Sequence, residues 1–456
     1  MSRIYRTKVV IASGLMALGA SCAALVTASS ASSATATAPA PGVTATHISL
    51  GSLIDQSGMA SASFAPYQYG ARAYFDMVNA AGGVNGRQIS IDHTIDVGDA
   101  DLRPTNAQIL VSQKVFAVVG YASGLTSSGL KYLATTATPV FGFNTGDGWQ
   151  GPKNFFPAYG SALNYTTSTS DFAYVASQVL PKGVAPKIGI IALGFSTSDL
   201  ECGMDPKTFG VLPSWAANLK KMGASVAYSN YVESITGGNN FSTDVTKMKA
   251  RGVNFVVSCM DGTDNVALST AMTNGGLGTV KQFWEDGYNQ TLLTQNSTVM
   301  KNVFVMIQHV PFEDTAVPGM ALYVSTMNKT FANGDSGKAH TNDEAAMQGW
   351  MGANLFVQGL RAAGASPTQA AVAAAINKIT ADYGGPNGGV AAPTNWTIAH
   401  TKVTSPGCDL FVKSDGQPSP KFVPAFTNSV SKIWSCFPMT GISNKPVAAP
   451  KGTPGA

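Results

Sequence analysis

The sequence predicts an α/β protein made of two doubly wound, parallel-sheet lobes. Short β-type runs alternate with segments of helical periodicity from His47 onward. The alternation comes in two sets of similar pattern, one before and one after Tyr159. A chain of 456 residues, 45% of them hydrophobic, is also too long for one ordinary core and carries apolar material for more than one.

The elements follow in order. The run HISLGSLI from His47 to Ile54 is a first strand, ending at Asp55-Gln56-Ser57-Gly58. Tyr67, Ala71, Tyr74, Phe75 and Val78 recur at helical spacing, and Gly82-Gly83 stops that helix. A strand over 88–94 leads into an acidic loop with Asp96, Asp99 and Asp101, then a helix over 104–113. Strands are expected over 116–120 and 140–143. The second set alternates helices over 169–180, 213–222, 243–250 and 264–273 with strands over 187–193, 225–231, 254–259 and 281–284. A strand over 303–307 and helices over 319–331, 343–363 and 368–379 complete the series.

The N-terminus reads as an export signal. Arg3, Arg6 and Lys8 precede an apolar stretch over 9–26 and a small-residue run over 27–40. Ser13, Gly14, Gly19, Ser21 and Cys22 interrupt that stretch and make it a poor membrane span. The expectation is a signal peptide over 1–28, a flexible tether over 29–43, and an exported protein, extracellular or in the cell envelope. Cys22, after Gly19-Ala20-Ser21, is a candidate for lipid attachment, against plain cleavage between residues 28 and 38. The formal charge of +4 falls to about +1 without the three leading basic residues, which excludes a nucleic-acid partner.

Past Cys22 the cysteines are Cys202, Cys259, Cys408 and Cys436. An even number in an oxidising compartment implies two disulfides, with three connectivities open. Cys408–Cys436 is the preferred close pair, both lying in the turn-rich C-terminal region, and Cys202–Cys259 then follows. Neither a Cys-x-x-Cys nor a His-x-x-x-His occurs, so no metal or other cofactor is expected. Ser128–Lys131 and Ser429–Lys432 match Ser-x-x-Lys, but no Lys-Thr-Gly or Ser-Asp-Asn accompanies them, so a secreted hydrolase is only a remote alternative.

Ser57-Gly58, the helix after it and the segment Asn79-Ala80-Ala81-Gly82-Gly83-Val84-Asn85-Gly86-Arg87 resemble a known family. So do the acidic loop with Asp99, Phe241-Ser242-Thr243 before a helix, and Arg251-Gly252-Val253-Asn254-Phe255-Val256-Val257. The family is the type I periplasmic solute-binding proteins, the branched-chain amino acid-binding group of ABC importers. The likeness runs from about residue 44 to 379, GGVNGR being its most specific part, and it weakens beyond 397.

The resemblance implies two lobes joined by three crossover segments, near 158–163, 307–312 and 396–402. Lobe one would be 44–160 and 310–397. Lobe two would be 161–309 and 398–440, with a disordered tail over 441–456. It also implies a non-enzymatic monomer that takes a small polar solute by hinge closure and passes it to a membrane permease. A ligand-sensing module docked on a membrane receptor is the alternative. For the site, it implies that a ligand carboxylate meets the loops containing Ser123, Gly124, Thr126, Asn144, Thr145 and Gly146. An ammonium group would meet Glu285, Asp286 or Asp261. Phe64 and Phe195 would flank the ligand, with Tyr288 as a further aromatic, while Trp149 would either shape the cleft or lie on a lobe surface.

Overall fold

In a computed structural model of the protein, β1 (His47–Ile54) lies between two parallel neighbours and is buried along most of its length. The structure describes residues 40–456 apart from 59–60, 99–102, 124–127, 144–146, 161–164, 195–200, 206, 209, 233–237, 333–335, 403–406 and 439–441. The expected signal segment, Cys22 and most of the tether therefore lie outside the described residues.

With β2 (Gln88–Asp96), β3 (Val118–Ala122), β4 (Val140–Gly142) and β5 (Phe155–Pro157), β1 forms a parallel sheet in the order β2-β1-β3-β4-β5. After β6 (Lys187–Leu193) come the short ribbon β7 (Met204–Asp205) and β8 (Gly210–Val211), then β9 (Ser225–Val232), β10 (Phe255–Cys259), β11 (Lys281–Trp284) and β12 (Val303–Ile307). The second sheet repeats the order of the first as β9-β6-β10-β11-β12, also parallel. KIGIIAL and FVVSC are near-continuous apolar runs because strands of such a sheet are covered on both faces. The sheet continues antiparallel with β13 (Gly407–Ser414) and β14 (Phe422–Pro424), while β15 (Ser435–Phe437) also pairs with β13.

The chain passes between the sheets after β5, after β12 and before β13. In the first passage Tyr159 and Gly160 both have positive φ, 63° and 95°. Both disulfides form as expected: Cys202–Cys259, and Cys408–Cys436 between β13 and β15.

One helix pair sets the geometry of the first sheet's covering layer. Helix Tyr67–Ala80 and helix Glu344–Ala363 approach so closely that a Cβ on Gly70 would lie 1.7 Å from the Ala346 carbonyl oxygen. A Cβ on Gly349 would lie 2.0 Å from that of Tyr67. The two helices lock through Tyr74, whose ring meets Trp350 edge-on at 4.8 Å and whose hydroxyl donates to Asn354 Oδ1 at 2.9 Å. This contact fixes where the second helix begins, and Glu344 is its first residue.

Two expectations are corrected. The third strand lies two residues later than expected, at Val118–Ala122, because the β1–β3 register shifts between Gly51 and Leu53 opposite Gly120, whose φ is 118°. The tail expected to be disordered is packed from 442 to 456. Val447 bridges Cys436, the Trp434 indole N–H donates to Pro454 O at 2.6 Å, and the Tyr383 hydroxyl donates to Lys451 O at 2.7 Å. Its Pro/Gly/Ala composition suggests disorder, yet proline still accepts hydrogen bonds and adopts extended chain well.

Gly70→Ala should cost about 3 kcal/mol of unfolding free energy by forcing the helix pair apart, measured as a lower urea midpoint at unchanged slope.

Candidate functional site

A parallel sheet sends every strand-to-helix loop to one end, and its crevice opens where the strand order reverses. Here the reversals fall between β1 and β3 and between β6 and β10. On the first sheet, the loop after β1 is tied to the loop after β2. Asp96 Oδ1 accepts the N–H groups of Gln56, Ser57 and Gly98 at 3.0, 3.3 and 3.0 Å. Desolvation would raise the Asp96 carboxyl, but the hydrogen bonds from Ser57, Gly98 and Gln56 outweigh it and hold it below the usual range. Ser123 is buried at the end of β3, and Phe64 is buried edge-on against Phe143 at 5.0 Å. Gly124, Thr126, Asn144, Thr145, Gly146 and Phe195 lie outside the described residues.

The second sheet presents acids at the same end. Asp261 follows β10 and caps helix Gly262–Asn274, accepting from Thr263 N at 2.8 Å and Asp264 N at 3.1 Å. Glu285 and Asp286 follow β11. Asp286 is open to solvent yet crowded by protein, as on the wall of a recess. Burial pushes its carboxyl up to about 7, the Asp261 charge adding and the N–H groups of Gly287 and Gly262 subtracting. Burial, then the charges of Glu201 and Asp409, raises Glu285 well above the carboxylate range. Its buried Oε1 has no hydrogen-bond partner.

Four further acids join these. Glu201 is pushed up to about 8 by burial and by Asp286 and Glu344. Glu344, brought in by the helix pair, is also pushed up to about 8, by burial and by Asp286, against a hydrogen bond from Gln348. Asp409 sits near the start of antiparallel β13, which places it beside the carboxyl end of β12. Burial pushes it up to about 6 although Gln308 Nε2 donates to it at 3.1 Å. Asp171, on helix Tyr165–Val179, is 1% exposed. Burial and the charges of Asp409 and Glu285 raise it far enough to keep its proton, which it donates to Asp409. No lysine, arginine or histidine is among the charges acting on these six. The Tyr159 hydroxyl is buried beside Glu344 and Asp409, which together with burial keep it protonated.

The expected acids Asp261, Glu285 and Asp286 are thus brought together, with Asp261 already engaged as a helix cap. Sequence reasoning missed Asp171, Glu201, Glu344 and Asp409. A local signal existed for two of them, since Glu201 precedes Cys202 and Asp409 follows Cys408, so each stands beside a disulfide. Two expected aromatics are corrected. Trp149 is fully buried against Tyr121 and Phe155 in the core beneath the first sheet. Tyr288 is 4% exposed, stacked on Phe312 at 5.1 Å with its hydroxyl donating to Glu313, so its polar end is used internally. Among the described residues no three His, Cys, Asp or Glu side chains are arranged to hold a metal ion. No described helix is long and apolar enough to cross a membrane.

The family model for periplasmic binding proteins matches residues 47–404, most of the chain, with all of the first sheet and the second as far as β12. The chain belongs to the periplasmic binding protein family. No curated protein matches it in sequence. Solved structures share its fold at low identity. A fatty acid ABC transporter substrate-binding protein from Thermomonospora curvata aligns with TM-score 0.67 at 16% identity, covering 91% of this chain and 98% of that one. A solute-binding protein of an ABC transporter from R. palustris, in complex with benzoate, gives 0.62 at 13%, covering 89% and 99%. The branched-chain amino acid transporter substrate-binding protein LivJ from Streptococcus pneumoniae, in complex with isoleucine, gives 0.61 at 16%, covering 83% and 99%. These relatives are substrate-binding proteins, not enzymes.

The acids give this periplasmic binding protein a distinct stability profile. Carboxyls raised by folding bind more protons folded than unfolded, so their contribution is lost as pH rises through their folded values. His309 and His400, pushed down to about 4 chiefly by burial, act the other way, but only below their usual range. Between pH 7 and 9 the acids therefore govern. The melting temperature of the ligand-free protein should fall across that interval, and Glu344→Gln should flatten the fall.

Proposed function

We propose that this protein is the extracytoplasmic receptor of an ABC importer and captures a small polar solute bearing an amino group, an amino acid or a related amine or amide. The observation that carries this reading is the set of six carboxyls gathered around the carboxyl ends of the second sheet, on which no cationic side chain acts among the described residues. Buried like charges of this kind are stabilised by protons or by a cation. An ammonium group is the simplest cation that also donates hydrogen bonds, three of them. Asp286 is the primary acceptor, being accessible and, with its carboxyl pushed up to about 7, close to half ionised at neutral pH.

The loops after β3 and β4 have a sequence that suits the other end of an amino acid. Beside Ser123, the residue types at Gly124, Thr126, Asn144, Thr145 and Gly146, outside the described residues, carry hydroxyls and N–H groups fit for a carboxylate. Phe64, with Phe195 as a second candidate from sequence, would meet the body of the ligand. The lobes close by bending at the three passages near 158–163, 307–312 and 396–402, and the ligand stabilises the closed form by touching both walls. The N-terminal segment directs export, and a membrane permease receives the solute from the monomeric receptor. Two of the similar structures are named for anionic solutes, fatty acid and benzoate, whereas isoleucine, named for the third, also bears an ammonium group. Six acids favour the last kind of chemistry and repel a bare carboxylate.

Calorimetry on the mature protein should give saturable binding of an amine-bearing solute, with a smaller radius of gyration in the complex. Asp286→Asn should weaken that binding about 100-fold. Tight binding of benzoate or a fatty acid, indifferent to Asp286→Asn, would remove the basis for the reading.

A further inference from the structure

The loop after β11 carries Asp286 and is fixed to the second sheet's side. The buried Asn265 amide donates to Asp286 O at 2.8 Å, and Asn289 N donates to Gly287 O at 2.9 Å. The Asn289 side chain also accepts from Leu292 N at 2.9 Å, capping helix Gln290–Gln295. From between these anchors the Tyr288 side chain reaches the second passage between the sheets. Its ring stacks on Phe312 at 5.1 Å with the planes 2° apart. Its hydroxyl donates to Glu313 Oε2 at 2.8 Å and accepts from Phe312 N at 2.8 Å.

That passage is stitched in turn to the first sheet's side. Val310 N donates to Val390 O at 2.7 Å and His309 is bridged to Ala391, on a segment whose Trp396 packs edge-on against Phe156 of β5 at 5.3 Å. Phe312 stacks on Tyr323 at 5.8 Å, and Tyr323 meets Trp350 of the helix pair edge-on at 5.4 Å. A row of rings thus runs from Tyr288 through the passage to the helices that cover the first sheet. The same loop touches that layer once more: Asn289 pairs as an isolated bridge with Asp343, the residue before helix Glu344–Ala363.

We propose that Tyr288 is a positioning residue of the cleft, whose hydroxyl ties the loop bearing Asp286 to the second passage and so favours the closed arrangement of the two sheets. The proposal rests on the reading of the crevice as a binding cleft that shuts by bending at the passages, and it is independent of the charge of the solute. Bending at 307–312 moves Phe312 and Glu313 with one side and leaves Tyr288 with the other. Hydrogen bonds of this length do not survive a displacement of about 1 Å. The tie is therefore made only where Asn289 also meets Asp343, and it is lost when the two part. A solute that needs both sides binds with an apparent dissociation constant equal to the intrinsic one divided by the fraction of protein in the competent form. Whatever raises that fraction, as the tie does, strengthens capture without touching the solute.

Three variants of the mature protein test it. Tyr288→Phe keeps the ring and removes the hydroxyl, Glu313→Ala removes one acceptor at an exposed position, and Glu313→Gln leaves an amide oxygen there. Small-angle scattering without ligand should give a larger radius of gyration for Tyr288→Phe and Glu313→Ala, and the unmutated radius for Glu313→Gln. Calorimetry with leucine should show binding weakened about tenfold in Tyr288→Phe and about threefold in Glu313→Ala, and unchanged within about twofold in Glu313→Gln. An unchanged radius in both Tyr288→Phe and Glu313→Ala would overturn the proposal, whatever their melting temperatures, because a residue that only packs lowers stability and leaves the arrangement of the sheets alone. Binding of benzoate in place of leucine would remove the amine reading, and the same variants would then be compared with benzoate. If neither solute binds, the radii decide. If Tyr288→Phe does not fold, as judged by circular dichroism, Glu313→Ala against Glu313→Gln decides.

Discussion

Like charge held out of water is the constraint on which the cleft of this protein depends. Parallel strands deliver their following loops to one end of a sheet, and at that end of the second sheet Asp261 follows β10 and Glu285 and Asp286 follow β11. Neighbouring carboxylates in a recess cannot all ionise. Among the described residues no lysine or arginine is among the charges acting on the six carboxyls of the cleft, and in the proposed reading the protons they hold are what an entering cation displaces. The chemistry of capture is thus set by what the fold withholds, a counter-charge.

Repulsion of that kind would spread the acids apart unless the frame resisted it. Two covalent ties bear on it directly. The Cys202–Cys259 bond anchors the residue next to Glu201 to the end of β10, and the Cys408–Cys436 bond anchors the residue next to Asp409 to β15. Glu344 is held by packing instead. Its position follows from the contact between the two helices whose backbones meet at Gly70 and Gly349, where no side chain fits. Asp171 is fixed by its helix, with Phe172 and Tyr174 just after it packed into the second sheet's core.

The fold was largely legible in the sequence because it rests on local periodicity. The run at His47–Ile54, the helical spacing from Tyr67 and the apolar runs of β6 and β10 each carry their own signal. The preferred disulfide pairing was legible too, from Cys408 and Cys436 lying together in the turn-rich C-terminal region, which left Cys202 for Cys259. The acidic wall was legible only where it follows a strand directly, at Asp261, Glu285 and Asp286. Asp171 lies in mid-helix, Glu344 begins a helix that covers the other sheet, and Asp409 belongs to a strand added antiparallel late in the chain. Their meeting depends on long-range packing that no window of sequence contains. The packed tail was missed for a related reason: its hydrogen bonds to Trp434 and Tyr383 depend on distant side chains, while its own composition resembles a linker.

The central claim is that the empty cleft holds protons where the ligand's cation will sit. It is tested most directly by counting protons on binding, from calorimetric enthalpies at pH 7.5 in buffers of differing ionisation enthalpy. The account predicts net proton release, reduced in Glu201→Gln. Binding with no proton exchange, or with proton uptake, would contradict it.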